Sequence, residues 1–458
     1  MLSVELPGGH ARKLLVNEQH PDDPRLDLLL PIPTGWRRPM WAHVSPPSAA
    51  QQRWPPPLSR KVCSVLKHGA KGDGKSMDTA AIASAIAECR NARGGSVLLP
   101  SPGVYLSGCV NLTGDNLALV IQSGAVLRSG LGIHEWPQAT RVPDHPVNQT
   151  GKPTAQPFIY SQRSQKVSIR GGGAIEVSGH DWWVDKCEHG SKRERPFVIR
   201  TDNCSEVDIR DITILNQPFW TVVPVDCQGV TIVNVSIVAP QWSPNTDGIE
   251  PMSSSGVLVE GVFVHNGDDC ITVKGGCSDV TIRDSYLMAG HGASIGSVTD
   301  LGVHNVTFSN IVLNGTTDAM QIKGRVGSGY AVVSSVLYEN IAFVNLTQYH
   351  DHHNDPAMAV RVEMMYGGGH VDPIGATVHG LTLRNVSGDS LTAGKIHCRA
   401  ANPCLGFDFE GVDVNTTGPA SKLDLGWNLT AVSGRASDVI PTLHFPSPPP
   451  AASSQLGG

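Results

Sequence analysis

A short strand-like signature recurs eight times between residues 207 and 411, and it restricts the possible folds more than any other feature. Each copy reads apolar-x-apolar-x-small/polar, as in Val207-x-Ile209-x-Asp211. The other copies begin at Val230, Val257, Val280, Val306, Val336, Leu381 and Phe407. Successive copies start 23, 27, 23, 26, 30, 45 and 26 residues apart. A period in the twenties, with strand chemistry and no helical stretches, predicts stacked coils whose inward side chains repeat from coil to coil.

The repeat therefore predicts an all-β fold, a single-stranded parallel β-helix over residues 59–440. An immunoglobulin-type sandwich also has many short strands, but its turns recur every ~8–12 residues without a phase-locked repeat. Before the coils, residues 79–89 (TAAIASAIAEC) carry small and apolar residues at helical spacing. Asp78 is a suitable N-cap for this helix. We expect the helix to cap one end of the solenoid and to cover an edge that would otherwise pair with other chains.

The two ends of the chain differ from the coils in composition. Residues 1–58 are Pro-rich and irregular, and we interpret them as an extended arm. Residues 441–458 (PTLHFPSPPPAASSQLGG) are predicted to form a disordered, Pro-rich tail.

Charge and hydrophobicity exclude two classes of function. The chain has 35 basic and 41 acidic residues, a formal net charge of −6, and no basic block, so we expect no binding to nucleic acid. No uninterrupted apolar run approaches the ~18 residues of a membrane span. We expect no membrane association, and we expect the protein to be a monomer.

Cysteines and asparagines indicate an oxidising compartment. The ten cysteines form no CxxC pair and no His/Cys spacing of a zinc site, but Cys270 with Cys277 and Cys398 with Cys404 are close enough to close short loops. Ten of the 20 asparagines occur in N-x-[ST], although an Asn-rich structural repeat would also raise that number. The first 30 residues show no signal peptide. We nevertheless expect an extracellular or cell-wall protein.

Four polar motifs interrupt the repeat at comparable phase: NTDG (245–248), GDDC (267–270), GHG (290–292) and QIKGR (321–325). Asp247 and Asp269 are 22 residues apart, Asp269 and His291 are 22 apart, and Lys323 follows 32 later. Separations near one coil place these side chains roughly above one another, about 4.8 Å per coil. Each motif alone is typical of a turn or a solvated loop. Their common phase predicts that carboxylates, an imidazole and an ammonium converge on one wall.

These motifs resemble the glycoside hydrolase family that contains polygalacturonases. The resemblance runs from KHGAKGDG (67–74) through RPF (195–197) and NQPFWTVVPV (216–225) to about residue 390. It implies a right-handed parallel β-helix, and hydrolysis of the α-1,4 links between galacturonic acids in pectin, with inversion at the anomeric carbon. It implies no cofactor and no metal.

The resemblance also implies roles for individual residues. Inversion requires a protonated carboxyl that protonates the leaving oxygen and an ionised carboxylate that activates water, with the two roughly 6.5–9.5 Å apart. Asp268 resembles the acid, and Asp247 and Asp269 resemble the base pair. His291 would be cationic and would tune their protonation by a hydrogen bond. Asn245 is predicted to contact the substrate. An acidic pH optimum is expected, because activity requires protonated Asp268.

Two departures from the family pattern affect substrate recognition and cysteine pairing. Gln321 replaces the usual Arg before Ile-Lys323, which resembles a clamp for the substrate carboxylate, so galacturonate recognition is in question. Arg325 shares a strand face with 321 and 323 and could supply the guanidinium, or it could be a solvated residue of the following turn. Tyr366 resembles the aromatic substrate contact. The cysteine that often precedes GHG is absent, so Cys270 is predicted to pair with Cys277.

An insertion upstream of Tyr366 contains YHDHHNDP (349–356). His350, His352 and His353, with Asp351 and Asp355, could suggest a metal site. A single short run lacks a fixed frame of ligands, so we interpret it as a loop at the rim of the cleft.

Three other functions are compatible with the same solenoid. A Ca²⁺-dependent polysaccharide lyase would need an Arg or Lys base beside calcium-binding carboxylates. A hydrolase of another pectin, such as rhamnogalacturonan, would explain Gln321, and so would a non-catalytic glycan-binding solenoid. The sequence does not distinguish cleavage within the chain from cleavage at its ends.

Overall fold

The computed structural model describes residues 61–139, 154–326, 329–347, 356–367, 375–418 and 425–446. The predicted arm (1–58), most of the predicted tail and all of the His/Asp run except Pro356 lie outside these residues. These ranges contain two α-helices, α1 (Thr79–Asn91) and α2 (His180–Cys187), together with a 3-10 turn at Val65–His68. No helix in the described ranges is long and apolar enough to cross a membrane.

Thirty strands account for most of the rest of the described chain. The first half are β1 (Val62–Ser64), β2 (Asp73–Met77), β3 (Gly95–Leu99), β4 (Gly103–Ser107), β5 (Val110–Asn111), β6 (Leu117–Ile121), β7 (Ala125–Ser129), β8 (Gln138–Ala139), β9 (Thr154–Ala155), β10 (Ile159–Gln162), β11 (Gln165–Arg170), β12 (Ala174–Glu176), β13 (Ile199–Asp202), β14 (Ser205–Leu215) and β15 (Val222–Val225). The second half are β16 (Gln228–Val238), β17 (Ser255–Glu260), β18 (Phe263–Asn266), β19 (Ile271–Val273), β20 (Ser278–Ala289), β21 (Ala293–Val298), β22 (Val303–Asn314), β23 (Asp318–Arg325), β24 (Val332–Val344), β25 (Met358–Tyr366), β26 (Thr377–Ser390), β27 (Thr392–His397), β28 (Cys404–Thr416), β29 (Trp427–Thr430) and β30 (Val432–Ile440).

The strands form two long parallel arrays, which confirms the predicted parallel β-helix. The first sheet contains 18 strands and includes β14, β16, β17, β18, β20, β22, β24, β26, β28 and β30. The second sheet has two parts, β5–β10–β13–β15 and β19–β21–β23–β25–β27–β29. Ile249 joins these parts because it forms parallel bridges to both Val222 and Ile271. Only the two-residue strands β8 and β9 pair antiparallel among the described strands.

The repeated signature lies in the first sheet, and its apolar positions stack in register from coil to coil. One such column comprises Ile209, Ile232, Val259, Ile282, Phe308, Tyr338, Leu383 and Phe409. All eight side chains are buried. Stacking of like side chains fills the interior, and this is the physical reason for the repeat.

The small or polar residue that ends each signature marks a bend inside the strand. At all eight positions, from Asp211 to Gly411, φ lies between 50° and 63°. Only Gly, Asn and Asp enter this left-handed region at low cost, which explains their recurrence there. Their side chains also bond between coils: Asn340 Nδ2 donates to Asn310 Oδ1 at 3.0 Å, and Asn385 Nδ2 donates to Asn340 Oδ1 at 2.7 Å.

This stacking explains part of the excess of N-x-[ST] sequences. Six asparagines in such sequences donate their side-chain N–H to a side chain of the preceding coil: Asn234, Asn305, Asn314, Asn345, Asn385 and Asn415. The glycosylation signal therefore overlaps with an asparagine requirement of the fold.

Helix α1 forms where it was predicted, with its expected apolar face buried. That face comprises Ala81, Ile82, Ala85, Ile86 and Cys89. Asp78 occupies the N-cap position, but its carboxylate makes no capping bond to the helix. It accepts hydrogen bonds from the backbone N–H groups of Lys71 and Gly72 instead, at 2.7 and 3.0 Å. The role of α1 as a cap on the solenoid stays a prediction.

Two disulfides form among the described residues, and one predicted disulfide is wrong. Cys398–Cys404 forms as the short spacing suggested, and Cys63–Cys89 joins β1 to α1, which the spacing did not indicate. Cys270 and Cys277 are both buried free thiols. Cys270 Sγ donates to Asn266 Oδ1 at 3.3 Å and Cys277 Sγ donates to the Pro251 carbonyl at 3.2 Å, so each thiol faces a different acceptor.

The packed chain continues past the predicted boundary at residue 440. Leu443 is buried, and Phe445 contacts the rings of Phe407 and Phe409 at centroid distances of 6.1 and 5.5 Å. These apolar side chains cover the interior near the last coils. Residues 441–446 therefore belong to the folded part of the chain.

Candidate active site

The second sheet brings the four polar motifs together on neighbouring coils. Asp247 lies two residues before Ile249, which bridges to Ile271 of β19; Ile271 pairs with Ala293 of β21, and Ala293 pairs with Met320 of β23. Asp268 and Asp269 precede β19, His291 precedes β21, and Gln321 and Lys323 lie within β23. One carboxyl oxygen each from Asp247, Asp268 and Asp269 lie within 4.8 Å of one another. The predicted convergence of these carboxylates is confirmed.

The two glycines of the GHG motif permit this close stacking. A Cβ at Gly290 would lie 2.2 Å from the Asp268 carbonyl oxygen, and one at Gly292 would lie 2.2 Å from the Asp318 carbonyl oxygen. Both residues also have positive φ, 56° and 78°. Only glycine fits both requirements, and His291 is thereby held between two coils.

Asp269 lies in an environment that stabilises its ionised form. It is buried, and its carboxylate accepts hydrogen bonds from Lys323 Nζ at 2.8 Å and from Ser294 Oγ at 2.9 Å. Burial alone would raise its pKa, but the positive charges of Lys323, Lys274 and His291 outweigh burial and hold the pKa below its usual value. Asp269 is therefore an anion across the physiological pH range.

Asp247 lies in the opposite environment. It is buried, and its Oδ1 receives no hydrogen bond from any described residue. Burial, followed by the negative charges of Asp268 and Glu250, raises the pKa of Asp247 well above its usual value. Asp247 and Asp269 were both predicted to be ionised. The surroundings of Asp247 instead favour its protonated form in the free protein.

Asp268 is the most accessible of the three carboxylates, with 22% of its side chain exposed. Asn245, predicted as a substrate contact, donates its side-chain N–H to Asp268 Oδ2 at 3.2 Å. Arg195 Nη2 in turn donates to Asn245 Oδ1 at 2.7 Å, and its Nη1 donates to the carbonyls of Pro218 and Pro244. Arg195 is buried, and burial lowers its pKa to about 10. The chain from Arg195 through Asn245 orients Asp268.

The His291 backbone N–H donates to the Asp268 carbonyl at 3.0 Å, but its ring lies farther from the Asp268 carboxylate than the predicted side-chain hydrogen bond requires. Its Nε2 is 3.9 Å from Asp268 Oδ1, which is beyond hydrogen-bonding range. Its Nδ1 lies 2.8 Å from Thr317 Oγ1, which fixes the orientation of the ring. At this distance a protonated His291 would act on Asp268 through charge.

Lys323, Arg325 and Tyr366 lie at the end of the wall near Asp269. The Lys323 ammonium is 5.4 Å from the centre of the Tyr366 ring. Arg325 pairs in register with Tyr366, after a register shift that follows Lys323. Arg325 is exposed, whereas Lys323 is buried. The structure therefore places Tyr366 next to both cations.

Gln321 is buried between the site and an ion pair that the sequence did not reveal. Its Oε1 lies 3.3 Å from Ser294 Oγ, and its Nε2 donates to Asp318 Oδ2 at 3.4 Å. Asp318 also binds Arg361, whose Nε and Nη2 donate to its two oxygens at 3.0 and 3.2 Å. Because Asp318 cancels the charge of Arg361, the surroundings of Gln321 are close to neutral.

Comparison with models of known protein families identifies the family of this chain, and the match includes all four polar motifs. Residues 139–431 match the model of glycosyl hydrolases family 28. The chain belongs to glycosyl hydrolases family 28. It is therefore a glycoside hydrolase, as the motifs indicated.

Several known proteins are similar to this chain over much of its length. A protein named as a probable polygalacturonase from Vitis vinifera is 27% identical over 410 residues, which is 83% of this chain and 79% of the relative. The solved exopolygalacturonase of Thermotoga maritima superposes with a TM-score of 0.70 at 20% identity, covering 84% of this chain and 92% of that one. The endo-xylogalacturonan hydrolase of Aspergillus tubingensis superposes with a TM-score of 0.65 at 21% identity, covering 82% and 100%.

Several residues of this family 28 site were not predicted individually. They are Arg195, Glu250, Lys274, Ser294, Thr317, Asp318 and Arg361. Arg195 belongs to the RPF segment that already carried the resemblance, and Ser294 and Lys274 lie only a few residues beyond GHG and GDDC. Arg361 lies five residues before Tyr366, but its place in the site follows from its register with Gln321 on the adjacent strand.

Proposed function

We propose that the protein is a polygalacturonase that hydrolyses α-1,4-galacturonosyl links in pectin. The observation that carries this proposal is the cluster of Asp247, Asp268 and Asp269 beside two buried cations on a family 28 solenoid. Its relatives include proteins named as polygalacturonases. Because the substrate is a cell-wall polymer, we propose an extracellular or cell-wall site of action.

In this mechanism Asp268 donates the proton to the leaving oxygen. It is the most exposed of the three carboxyl groups, and the Asn245 side chain donates a hydrogen bond to it. Asp247 and Asp269 activate the attacking water. Two carboxyl oxygens within 4.8 Å can both accept hydrogen bonds from one water molecule at about 2.8 Å each. Lys323 keeps Asp269 anionic, so at least one member of the pair is ready to take the proton.

The distance between the carboxylates bears on stereochemistry. Inverting glycosidases commonly separate acid and base by about 6.5–9.5 Å, and retaining enzymes by about 5–5.5 Å. Here the nearest oxygens lie within 4.8 Å, so inversion follows from the family resemblance and not from this distance. Proton NMR of the anomer that forms first distinguishes the outcomes: inversion releases the β-anomer from an α-link, and retention the α-anomer.

A second candidate is hydrolysis of another pectin, such as rhamnogalacturonan. The specific observation in its favour is the neutral surroundings of Gln321, where Asp318 cancels the charge of Arg361. Against it, Arg325, which is exposed and pairs in register with Tyr366, places a positive charge on the same wall, where an acidic sugar would bind. We therefore favour polygalacturonate.

Incubation with polygalacturonate and, in parallel, with rhamnogalacturonan, both in EDTA, tests these functions. A polygalacturonase releases reducing ends from polygalacturonate without unsaturated products. Ultraviolet-absorbing unsaturated products would indicate a lyase, and loss of activity in EDTA would indicate a metal among the three carboxylates. Release from rhamnogalacturonan alone would favour the second candidate, and binding without products would indicate a glycan-binding protein.

A further inference from the structure

Glu250 follows Asp247 by three residues and is buried beside it. Its side chain is completely buried, and its carboxyl group lies within hydrogen-bonding reach of the Asp247 carboxyl. Its Oε1 is 2.9 Å from Lys274 Nζ. Glu250 Oε2 and Asp247 Oδ1 are both buried, and neither receives a hydrogen bond from the described part of the chain.

Two carboxylates that face each other in a buried site cannot both be ionised at low cost. An ionised carboxylate only accepts hydrogen bonds, so neither group can satisfy the other unless one holds a proton. Burial also makes two adjacent negative charges unfavourable. One proton between them removes both problems, because it supplies the missing donor and reduces the charge to one.

Lys274 balances that remaining charge. Its ammonium lies over the Trp220 ring at 4.9 Å from the ring centre, and only 14% of its side chain is exposed. The ammonium is therefore held beside Glu250 and shielded from water. One shared proton, one carboxylate and one ammonium make the group electrically neutral, which is the form that burial favours.

We propose that Asp247 and Glu250 share one proton, and that Glu250 and Lys274 are positioning residues that control when Asp247 ionises. This inference deepens the proposed function and rests on the assignment of Asp247 to water activation. Glu250 acts only through Asp247, because it is completely buried and cannot reach a sugar.

The surroundings of the pair support this form. Burial raises the pKa of Glu250 even though Lys274 opposes the rise. The other titratable or charged groups near the pair are Arg195, Asp268, Asp269, Cys270, His291 and Lys323. Lys323 is committed to Asp269 and Arg195 to Asn245, so Lys274 is the cation in contact with the pair.

If Asp247 and Glu250 share a proton, two substitutions should move the acidic limb of the pH profile in opposite directions. Glu250→Gln removes a negative charge and offers an N–H to Asp247, so the acidic limb of the kcat/KM profile on polygalacturonate should move down by ~1 pH unit. Lys274→Met leaves the pair without its counter-charge, so the same limb should move up by a similar amount. Lys274→Arg keeps the charge and should restore the wild-type limb. Equal shifts in both variants, or none, would overturn the inference.

A matched control is the Glu363–Lys395 pair of the same sheet, whose charged atoms are 2.7 Å apart. Glu363→Gln also removes a partly buried carboxylate beside a lysine, but it should leave the acidic limb in place because Glu363 is not in contact with Asp247. A shift of the same size in this control would show a general charge effect and would count against the inference.

Carbon-13 NMR of the carboxyl groups in labelled wild-type protein tests the pair without substrate and without a variant. We expect a strongly coupled pair, Asp247 and Glu250, in which a proton persists well above the ordinary Asp range near 4. Normal titration of every buried carboxyl would exclude the shared proton. Because this readout needs no activity, a shared proton in a protein that cleaves no galacturonan would refute the proposed function and not the pair.

Discussion

The two long sheets are built from the same coils, yet an interior column of the first sheet and the column that lines the site in the second differ in the side chains that they stack. In the first sheet one register column consists of large, buried apolar side chains, for example Ile282, Phe308 and Tyr338. In the second sheet one register column is polar throughout and passes from hydroxyl to amide to cationic side chains: Thr272, Ser294, Gln321, Arg361, Lys395 and Asn428. The backbone pairing is parallel in both. The difference lies entirely in the side chains.

This difference shows how a repetitive fold holds a non-repetitive site. Stacked apolar side chains need no partner of opposite charge, so the first sheet supplies stability that is nearly independent of position. The second sheet buries charges, and each is stable only beside a partner on another coil, as Lys323 is beside Asp269 and Arg361 beside Asp318. Substitutions should therefore affect catalysis in one sheet and stability in the other.

The largest effect is expected for Asp268→Asn in the second sheet. The amide keeps the shape of the side chain but cannot protonate the leaving oxygen, so kcat on polygalacturonate should fall by about 10²–10⁴-fold. Asp208→Asn is a matched control, since it removes a buried carboxylate that pairs with Arg210 in the first sheet. Activity of Asp268→Asn within a factor of ten of wild type would remove Asp268 from the acid role.

Phe308→Ala tests the opposite half of the comparison. Phe308 is buried, and its ring stacks on Tyr338 at 4.5 Å between centroids. Its removal should lower the free energy of unfolding by about 3–5 kcal/mol, measured by denaturant titration, because a cavity remains. The kcat of the folded fraction should be unchanged. A large loss of kcat at full folding would show that the two sheets are not independent.

Arg325→Ala examines whether the exposed end of the second sheet recognises an acidic sugar. If Arg325 binds a substrate carboxylate, its loss costs about 1.5–3 kcal/mol, so kcat/KM on polygalacturonate should fall by roughly ten- to a hundredfold, mainly through KM. Gln321→Arg is the companion variant. Asp318 would partly neutralise the new charge, so we expect the gain to stay below about tenfold. No change in either variant would favour a substrate unit other than galacturonate.

The smallest effect is expected for the asparagine ladder of the first sheet. Asn340→Ala removes two side-chain hydrogen bonds and places alanine at φ 55°, which should cost about 1–2 kcal/mol of stability. Asn340→Gly keeps the left-handed backbone accessible and isolates the loss of the hydrogen bonds. If both variants unfold at the wild-type denaturant concentration, the ladder contributes no measurable stability.

Local chemistry in the sequence determined much of this protein. The spacing of the signature that starts at Val207 specified parallel coils, because each coil must present a similar inward face to the next. The common phase of the polar motifs placed Asp247, Asp269, His291 and Lys323 on one wall for the same reason.

Only the tertiary structure decided which charges are neighbours. Cys270 and Cys277 are close in sequence but face different acceptors, so spacing alone suggested a disulfide that does not form. Arg361 contacts Asp318, 43 residues away in sequence. Asp247 was expected to be ionised, yet its protonation depends on burial and on the Glu250 carboxyl beside it. Burial and the distance between charges are properties of stacked coils, and they set the free energy of each ionised form.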